Sequence, residues 1–497
     1  MQMTKSISAA KFIFLGAILA TTLPPFGITP FITLFVFFPF LKELSTNTSR
    51  ERIFTGFCFG FGYFIVLLKW ISIVGNDALI ALSAICAVWW AIASSLSLVF
   101  KESKMWPFWF AISWTGLELI RDRFPWGGFG WGQLGIAWVQ TPLSGLYSIF
   151  GQVGMTFATY LTLASIYRLK SVWGNRSLTK NLAVVFVGLL ATFSLSSISN
   201  SIQPITRNEN NLIRVSAVQG GVEHTGLGVL GQPRAVLNKH FDETLRNIEV
   251  VNNSDLLIWP ESSVDLDPYQ DFVSMQTLKR LGDLVSAPLL VNGTVISQSL
   301  QKQNSSLLIS NDSIEKVYQK RRLVPFGEFL PLRKVIEQYT DRASMLSTDY
   351  ESGLNPGSIT VKRINLSILI CFEIADDSMI HQDISNKSAV IVQTNNATYQ
   401  NLGQTEQQVL YTRLRAIETA RPIVSISTSG NSVIVNSVGQ VLTQLNQDET
   451  GILNVNLVEI EGQTIASKIH DWLVAVIFVA FTSGISLILI KRLKIKS

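Results

Sequence analysis

The sequence predicts an all-α membrane bundle of about eight spanning helices that carries an α/β domain. Two observations predict it. Charged residues make up only 15% of the 497-residue chain and the mean hydropathy is +0.32, whereas soluble domains carry roughly 25% charged residues. The apolar mass is also unevenly placed: it fills the first 200 residues and a last stretch, with a segment of different texture between them.

A spanning helix needs about 20 mainly apolar residues. Such stretches run over Phe12–Leu23, Thr29–Leu41, Phe54–Ile73, Leu79–Phe100, Trp106–Ile120, Leu146–Tyr167, Leu182–Ser199 and Trp472–Ile490. The first two are short, and Pro24, Pro25 and Pro30 leave a re-entrant pair open as an alternative. A cleaved signal peptide is the other reading of the first stretch, although no small-x-small site follows it.

Lys and Arg in the short connections set the orientation. With the N-terminus inside, the cytoplasmic segments carry Lys5 and Lys11, then Lys42, Arg50 and Arg52, then Lys101 and Lys104. Arg168, Lys170, Arg176 and Lys180 follow, and Lys491, Arg492, Lys494 and Lys496 end the chain. The opposite short loops hold only Arg121 and Arg123. An even number of spans satisfies both ends, which places the long middle segment outside, in the periplasm of a Gram-negative cell.

That segment alternates short apolar runs with amphipathic stretches. Ile213–Val218, Leu256–Trp259, Leu289–Val291, Leu366–Ile370, Val390–Gln393, Val424–Ser427 and Val433–Val435 read as strands. Several are continuously apolar, as strands covered on both faces are. Leu237–Val250, Ser274–Val285 and Gln404–Thr419 read as helices with one polar face. Roughly 260 residues of this kind bury a full core as one domain. Asn200–Asn211 reads as the entry linker and Gly462–Ile469 as the exit. The expected division is a membrane domain over 1–200 with seven spans, an outer domain over 201–469, and a final span with a basic tail over 470–497.

Several function classes are excluded early. With 40 Lys and Arg against 35 Asp and Glu, the net charge is only +5, which argues against a nucleic-acid partner bound on a basic face. Cys58, Cys86 and Cys371 supply neither a disulfide framework nor a CxxC pair. His224, His240, His381 and His470 are scattered, so no metal site is expected.

Three strand ends carry residues suited to chemistry. Glu261 follows the strand Leu256–Trp259 and Pro260, at the carboxyl end where α/β sites form. Alone, it reads as a solvated loop-edge carboxylate in a turn. Lys320 leads into the rigid, aromatic string Leu323–Pro331, with Glu328 as an available counter-ion. The alternative there is a solvated basic triplet, Lys320, Arg321 and Arg322. Cys371 ends the apolar run Ser367–Ile370; it is either an inert core thiol or a nucleophile. Together the three make a coherent acyl-transfer site. Glu261 would be the base, and Lys320 a fixed cation that lowers the thiol pKa and holds oxyanion charge.

A Glu, a Lys and a Cys at successive strand ends resemble the triad of the nitrilase, or carbon–nitrogen hydrolase, superfamily. The longer strings are more specific. WPES at Trp259–Ser262, YQKRRLVPFGEFLP at Tyr318–Pro331, ICFE at Ile370–Glu373, RLRAIETARP at Arg413–Pro422, FPWGGFGWGQ at Phe124–Gln133 and GFGYF at Gly60–Phe64 with Lys69, Trp70 and Ile71 resemble the membrane-embedded apolipoprotein N-acyltransferase branch.

The resemblance implies a nitrilase-like αββα sandwich joined to an eight-helix bundle in the bacterial inner membrane. It implies Glu261 as general base, Lys320 as oxyanion stabiliser, Cys371 as nucleophile and Glu328 as the carboxylate that orients Lys320. Phe372, through its backbone N–H, and Glu373 are supporting neighbours. The implied reaction carries a fatty acyl chain from a membrane glycerophospholipid, phosphatidylethanolamine above all, through a Cys371 thioester to the α-amino group of a diacylglyceryl apolipoprotein. No cofactor is implied.

Trp126, Trp131, Phe326, Phe329 and Leu330 are the expected acyl-contacting and water-excluding residues, with interfacial anchoring the alternative for the two tryptophans. Two positions depart from the family pattern. Phe372 stands where Tyr is common, and TNNATY at Thr394–Tyr399 replaces an SNDAWF-like string. Both are expected to alter the lipid pocket more than the chemistry. A tethered amidase acting on small amides, and a non-enzymatic transporter, are the rival readings. The first needs only one span, and the second usually carries ionisable residues within its spans.

Overall fold

The computed structural model describes residues 2–98, 100–172, 190–199, 201–222, 232–310, 313–338, 348–384, 386–399 and 402–496. The expected span Leu182–Ser199 lies outside these residues as far as 189, as do Arg176, Lys180 and His224. The chain divides into two compact units, Met1–Gln203 with Thr464–Ser497, and Pro204–Gln463.

The first unit is helical, with helices over Gln2–Ala20, Ile32–Thr46, Ser49–Leu67, Asn76–Leu96, Trp106–Arg121, Tyr147–Val172 and Ile465–Lys496. Among the described residues, three stretches are long and apolar enough to cross a membrane: Asn76–Leu96, Ser144–Leu169 and Ile465–Ile488. Ile32–Thr46 has 15 residues. It is therefore about 22 Å long, short of a hydrocarbon core about 30 Å thick. The expectation of about eight spans is thus met at this standard by three.

Local chemistry accounts for several details of this unit. Thr48 and Glu51 form a reciprocal capping box that starts Ser49–Leu67. The GFGYF string has a packing reason: a Cβ on Gly62 would lie 1.9 Å from the carbonyl oxygen of Ile13, and one on Gly16 would lie 2.0 Å from that of Phe59. Only glycine lets these two helices approach so closely. Arg121, expected as a loop charge, is instead 2% exposed. Its Nη1 donates to the carbonyls of Phe129 and Trp131 at 2.6 and 2.7 Å. The guanidinium is therefore the internal scaffold of the loop Phe124–Gln133, because a charge withdrawn from water must find fixed acceptors.

The second unit is a sandwich of two six-stranded sheets with helices outside. The strands are β1 Ile205–Gln219, β2 Leu256–Ile258, β3 Leu289–Ile296, β4 Lys302–Ser310, β5 Ser313–Gln319, β6 Gly357–Val361, β7 Ile364–Ile370, β8 Ala389–Thr394, β9 Ile423–Ser427, β10 Ser432–Val435, β11 Val441–Leu445 and β12 Gly451–Gly462. One sheet runs β12-β1-β2-β3-β4-β5 and the other β11-β10-β9-β8-β7-β6. The parallel pairs are β1/β2, β2/β3, β7/β8 and β8/β9. These hold the strands with the most continuous apolar character, and β2, β8 and β9 are buried throughout.

The inner faces share one core, in which Val215, Leu256, Ile258 and Leu290 of the first sheet meet Leu366, Ile368, Ile370 and Ile391 of the second. Behind the first sheet, Leu237 and Phe241 of Ala235–Arg246 and Leu278 and Leu281 of Phe272–Leu284 pack on Leu257, Leu289 and Val291. Gln404–Thr419 contacts β9 and β10 of the second sheet. The α/β expectation and its αββα layering match this architecture.

Two linker expectations are corrected. β1 begins at Ile205, and its polar half, Ile205–Asn208, pairs antiparallel with Glu459–Gly462 of β12. Those residues have no strand periodicity, and their hydrogen bonds come from a partner some 250 positions away. At the other end the last helix begins at Ile465, so most of Gly462–Ile469 is helix rather than connection.

Leu257 is fully buried two residues before the Trp259-Pro260-Glu261 turn. Leu257→Ala is expected to lower unfolding stability by about 2–5 kcal/mol, read as an earlier denaturation midpoint of the full chain in detergent.

Candidate active site

Three strand ends of the sandwich deliver the expected side chains. β2 ends at Ile258, and Pro260 directs the chain away from the sheet so that Glu261 follows in a turn, with Ser262 at φ 56°. β5 ends at Gln319, and the Lys320 N–H donates to the Asn304 carbonyl on β4 at 2.9 Å, extending the ladder by one residue. β7 ends at Ile370, and Cys371 follows in the left-handed region at φ 56°, opening a 3₁₀ turn through Ala375. A β-carbon in that region is strained, and such strain persists only where the surroundings impose it.

Lys320 is 1% exposed, and its Nζ lies 3.2 Å from Glu261 Oε1 and 2.9 Å from Glu328 Oε1. Burial alone would push the ammonium pKa down; the two carboxylates outweigh it and hold the group well above its usual range. Lys320 is therefore a permanent cation, unable to donate or accept a proton at working pH. The alternative of a solvated basic triplet is ruled out. Arg321 pairs with Asp383, and Arg322 Nε lies 2.5 Å from Asp376.

Cys371 keeps partial exposure as a residue, while its thiol lies inside. Burial first, then the charge of Glu261, push the thiol pKa well above the usual range. Lys320 and a hydrogen bond from the Asn395 backbone N–H pull it down. The expected lowering by Lys320 is thus present but outweighed, by burial first and then by the charge of Glu261. At rest the thiol keeps its proton, so that proton must move as the sulfur attacks.

The Thr394–Tyr399 string departs from expectation as well. Its Asn395 backbone approaches the sulfur, and Tyr399 is pushed up to about 12, by burial above all. Asn395 is itself held by its Oδ1, which accepts from Thr428 Oγ1 at 2.8 Å. This segment therefore touches the chemistry.

Glu373 is completely buried and ties two strand ends together. Its Oε1 accepts from the backbone N–H groups of Arg321 and Arg322 at 2.8 and 3.0 Å, and its Oε2 accepts from Ile370 N–H at 2.8 Å. Tyr318 OH bridges both oxygens at 2.9 and 2.8 Å. One carboxylate thus fixes the residues flanking Lys320 against the residue preceding Cys371. From behind, the RLRAIETARP helix supplies Arg415, whose guanidinium donates to the carbonyls of Ile374 and Ala375 at 3.1 and 3.0 Å.

Other polar residues of the site carried no signal in the sequence. Gln393 accepts from Ser306 Oγ at 2.5 Å and donates to the Trp259 carbonyl at 2.7 Å, joining β8 to β4 and to the Glu261 turn. Asn304 and Asn292 lie on neighbouring strands beside Glu261. Asn304 falls in the polar run Lys302–Ser306, which in the sequence does not distinguish a site from an exposed strand end.

The aromatic expectations divide. Phe326 is 57% exposed with φ 66°, Leu330 is buried, and Phe329 is half-buried. In the helical unit, Trp126 is 47% exposed, while Trp131 is buried against Trp70 with ring centroids 5.7 Å apart.

Residues 15–165 match the family described as apolipoprotein N-acyltransferase N-terminal domain, and residues 236–467 match the carbon-nitrogen hydrolase family. An apolipoprotein N-acyltransferase of Mycolicibacterium smegmatis is 28% identical over 96% of this chain and 83% of its own length. One of Haemophilus influenzae is 28% identical over 71% of this chain and 69% of its own. Among solved structures, a mutant of the Nesterenkonia AN1 amidase from the nitrilase superfamily aligns with 53% of this chain and 95% of its own, at 17% identity and a TM-score of 0.40.

Two outcomes are expected from this geometry. Alkylation of Cys371 by iodoacetamide, followed by mass spectrometry of its peptide, should rise with pH. The rise should fall at lower pH in Glu261→Gln, which removes a negative charge beside the sulfur, and at higher pH in Lys320→Met. Glu373→Leu strands three backbone donors, the Ile370 N–H buried and those of Arg321 and Arg322 partly buried. Each costs about 1–3 kcal/mol, so a marked drop in the thermal midpoint is expected.

Proposed function

We propose the activity from a family premise: the chain belongs to the apolipoprotein N-acyltransferases of the carbon–nitrogen hydrolase superfamily. The reading is that it transfers a fatty acyl chain from a membrane glycerophospholipid, phosphatidylethanolamine in particular, to the α-amino group of a diacylglyceryl-cysteine at the N-terminus of an apolipoprotein. The observation that carries it is the buried ammonium of Lys320 shared by Glu261 and Glu328, in electrostatic contact with the Cys371 thiol.

The proposed mechanism has two half-reactions. The Cys371 sulfur attacks the ester carbonyl while Glu261 takes the thiol proton. Lys320 and the Phe372 backbone N–H hold the tetrahedral oxyanion. The carbon–oxygen bond breaks, Glu261 returns the proton to the leaving alkoxide, and lysophospholipid departs from a thioester on Cys371. The neutral amine of the acceptor then attacks that thioester and Glu261 takes its proton. The carbon–sulfur bond breaks, the proton returns to sulfur, and an amide-linked lipoprotein leaves. A cation that never titrates suits both oxyanions, since stabilisation preset before charge develops costs no reorganisation. The thioester must be kept from water between steps. Within the outer domain we assign that shielding, and the acyl groove, to Phe326, Phe329 and Leu330.

For the whole chain we propose eight spans in the bacterial inner membrane, with 1–200 as the membrane domain, 201–469 as a periplasmic catalytic domain and 470–497 as the final span and cytoplasmic tail. Burial of Arg121 supports this side assignment, since it removes a positive charge from the accessible outer loops.

Purified protein incubated with phosphatidylethanolamine carrying a labelled acyl chain is expected to gain one acyl mass on the Cys371 peptide, released by hydroxylamine. Cys371→Ala should abolish N-acylation of a diacylglyceryl peptide by about a thousandfold or more. Retained acylation in that variant would refute the proposal.

A further inference from the structure

We propose that Asn304 is a positioning residue of the acyl-transfer site: its side-chain amide clamps Glu261 and Glu328 to Lys320 and selects the Glu261 oxygen left for the Cys371 thiol. The inference rests on the acyl-transfer reading above and adds a residue to it.

Asn304 is 7% exposed. Its Nδ2 donates to Glu261 Oε1 at 2.8 Å and to Glu328 Oε1 at 2.9 Å. Lys320 Nζ reaches the same two oxygens, so ammonium, carboxylate, amide and carboxylate close a four-membered ring of hydrogen bonds. Both contacts to Glu261 fall on Oε1, and neither falls on Oε2.

The amide has one workable orientation. Its Oδ1 accepts from Asn292 Nδ2 at 2.9 Å, and Asn292 Oδ1 accepts from the Ser262 N–H at 2.8 Å, next to Glu261. A flip would set Oδ1 against two carboxylate oxygens and Nδ2 against another amide donor. The Asn304 carbonyl also accepts from the Lys320 N–H at 2.9 Å. One residue therefore registers the lysine through its backbone and both counter-ions through its side chain.

The residue type follows from the charge. Two carboxylates and one ammonium leave one net negative charge in a buried place. A second cation would compete with Lys320 for the oxyanion, and a water molecule would supply a nucleophile for the thioester. A neutral group with two N–H donors at a fixed angle orders the carboxylates without either consequence. The titratable groups facing this cluster are Lys320, Glu328, Cys371, Tyr350 and Tyr399, with Glu373 reaching Lys320.

The test uses the full chain in mixed micelles with phosphatidylethanolamine bearing a labelled acyl chain. It follows the single-turnover rate of labelling on Cys371 across pH. Asn304→Ala should slow labelling about tenfold to a hundredfold, the loss expected for hydrogen bonds to charged groups, with unchanged half-saturation by lipid. Losing an N–H donor disfavours the ionised form of Glu261, so the acid limb should move to higher pH. Asn304→Asp adds a third carboxylate and should be slower still at neutral pH. It should recover towards the Ala variant as pH falls, because the protonated acid regains a donor. Asn304→Ser, which keeps one donor, should lie between wild type and Ala, and it serves if the Ala variant does not fold.

Wild-type rate and acid limb in the Ala and Ser variants, or an Asp variant that parallels Ala at every pH, would overturn the proposal. Absence of label on the wild type would instead sink the acyl-transfer reading. The pH dependence of iodoacetamide alkylation at Cys371 would then decide on Asn304 by itself, an unmoved profile in Asn304→Ala rejecting it.

Discussion

Lys320 Nζ sits where water is excluded, between carboxylate oxygens 3.2 and 2.9 Å away, and much of the sandwich around it serves to make that tolerable. An ammonium taken from water costs several kcal/mol unless paired with good geometry. Here the pairing is over-determined. Glu328 is held by the Val324 N–H at 2.8 Å, Glu261 by the turn after β2, and the lysine backbone by β4. The excess of negative charge is not a defect of the design. It adds to burial, the larger cause, in holding the neighbouring Cys371 thiol in its protonated form.

Topology explains how residues so far apart in the chain reach one place. The parallel pair β1/β2 and the parallel run β7/β8/β9 each direct carboxyl ends to one edge of a sheet, and the two sheets share an apolar interface. Glu261 comes from one sheet and Cys371 from the other, while Lys320 leaves the antiparallel β4/β5 ladder. Buried polar ties across the interface, Ser306–Gln393–Trp259 and Tyr318–Glu373–Ile370, then fix these ends relative to each other. A core packed to solid density transmits this registration without play.

The helical unit shows the same economy in another setting. Arg121 donates to two carbonyls of its own loop, and the glycines of the GFGYF string serve contact between helices. Motifs that identify a family thus divide into those that do chemistry and those that hold shape. Only packing distinguishes them.

Much was legible from residue order alone. Apolar runs marked β2, β3 and β7 to β10, because strands covered on both faces are mostly apolar, with polar residues admitted only where they find buried partners. A Glu, a Lys and a Cys after such runs stood out because chemistry-bearing side chains gather at strand ends. Unreadable were the polar half of β1, the edge strands and the tying residues Asn304, Asn292 and Gln393. Their roles depend on partners tens or hundreds of positions away, and a buried amide looks like a surface amide until its acceptors are placed. The sign of the thiol shift belongs to the same class. Which charge wins at Cys371 depends on distances and burial, and those exist only once the chain has folded.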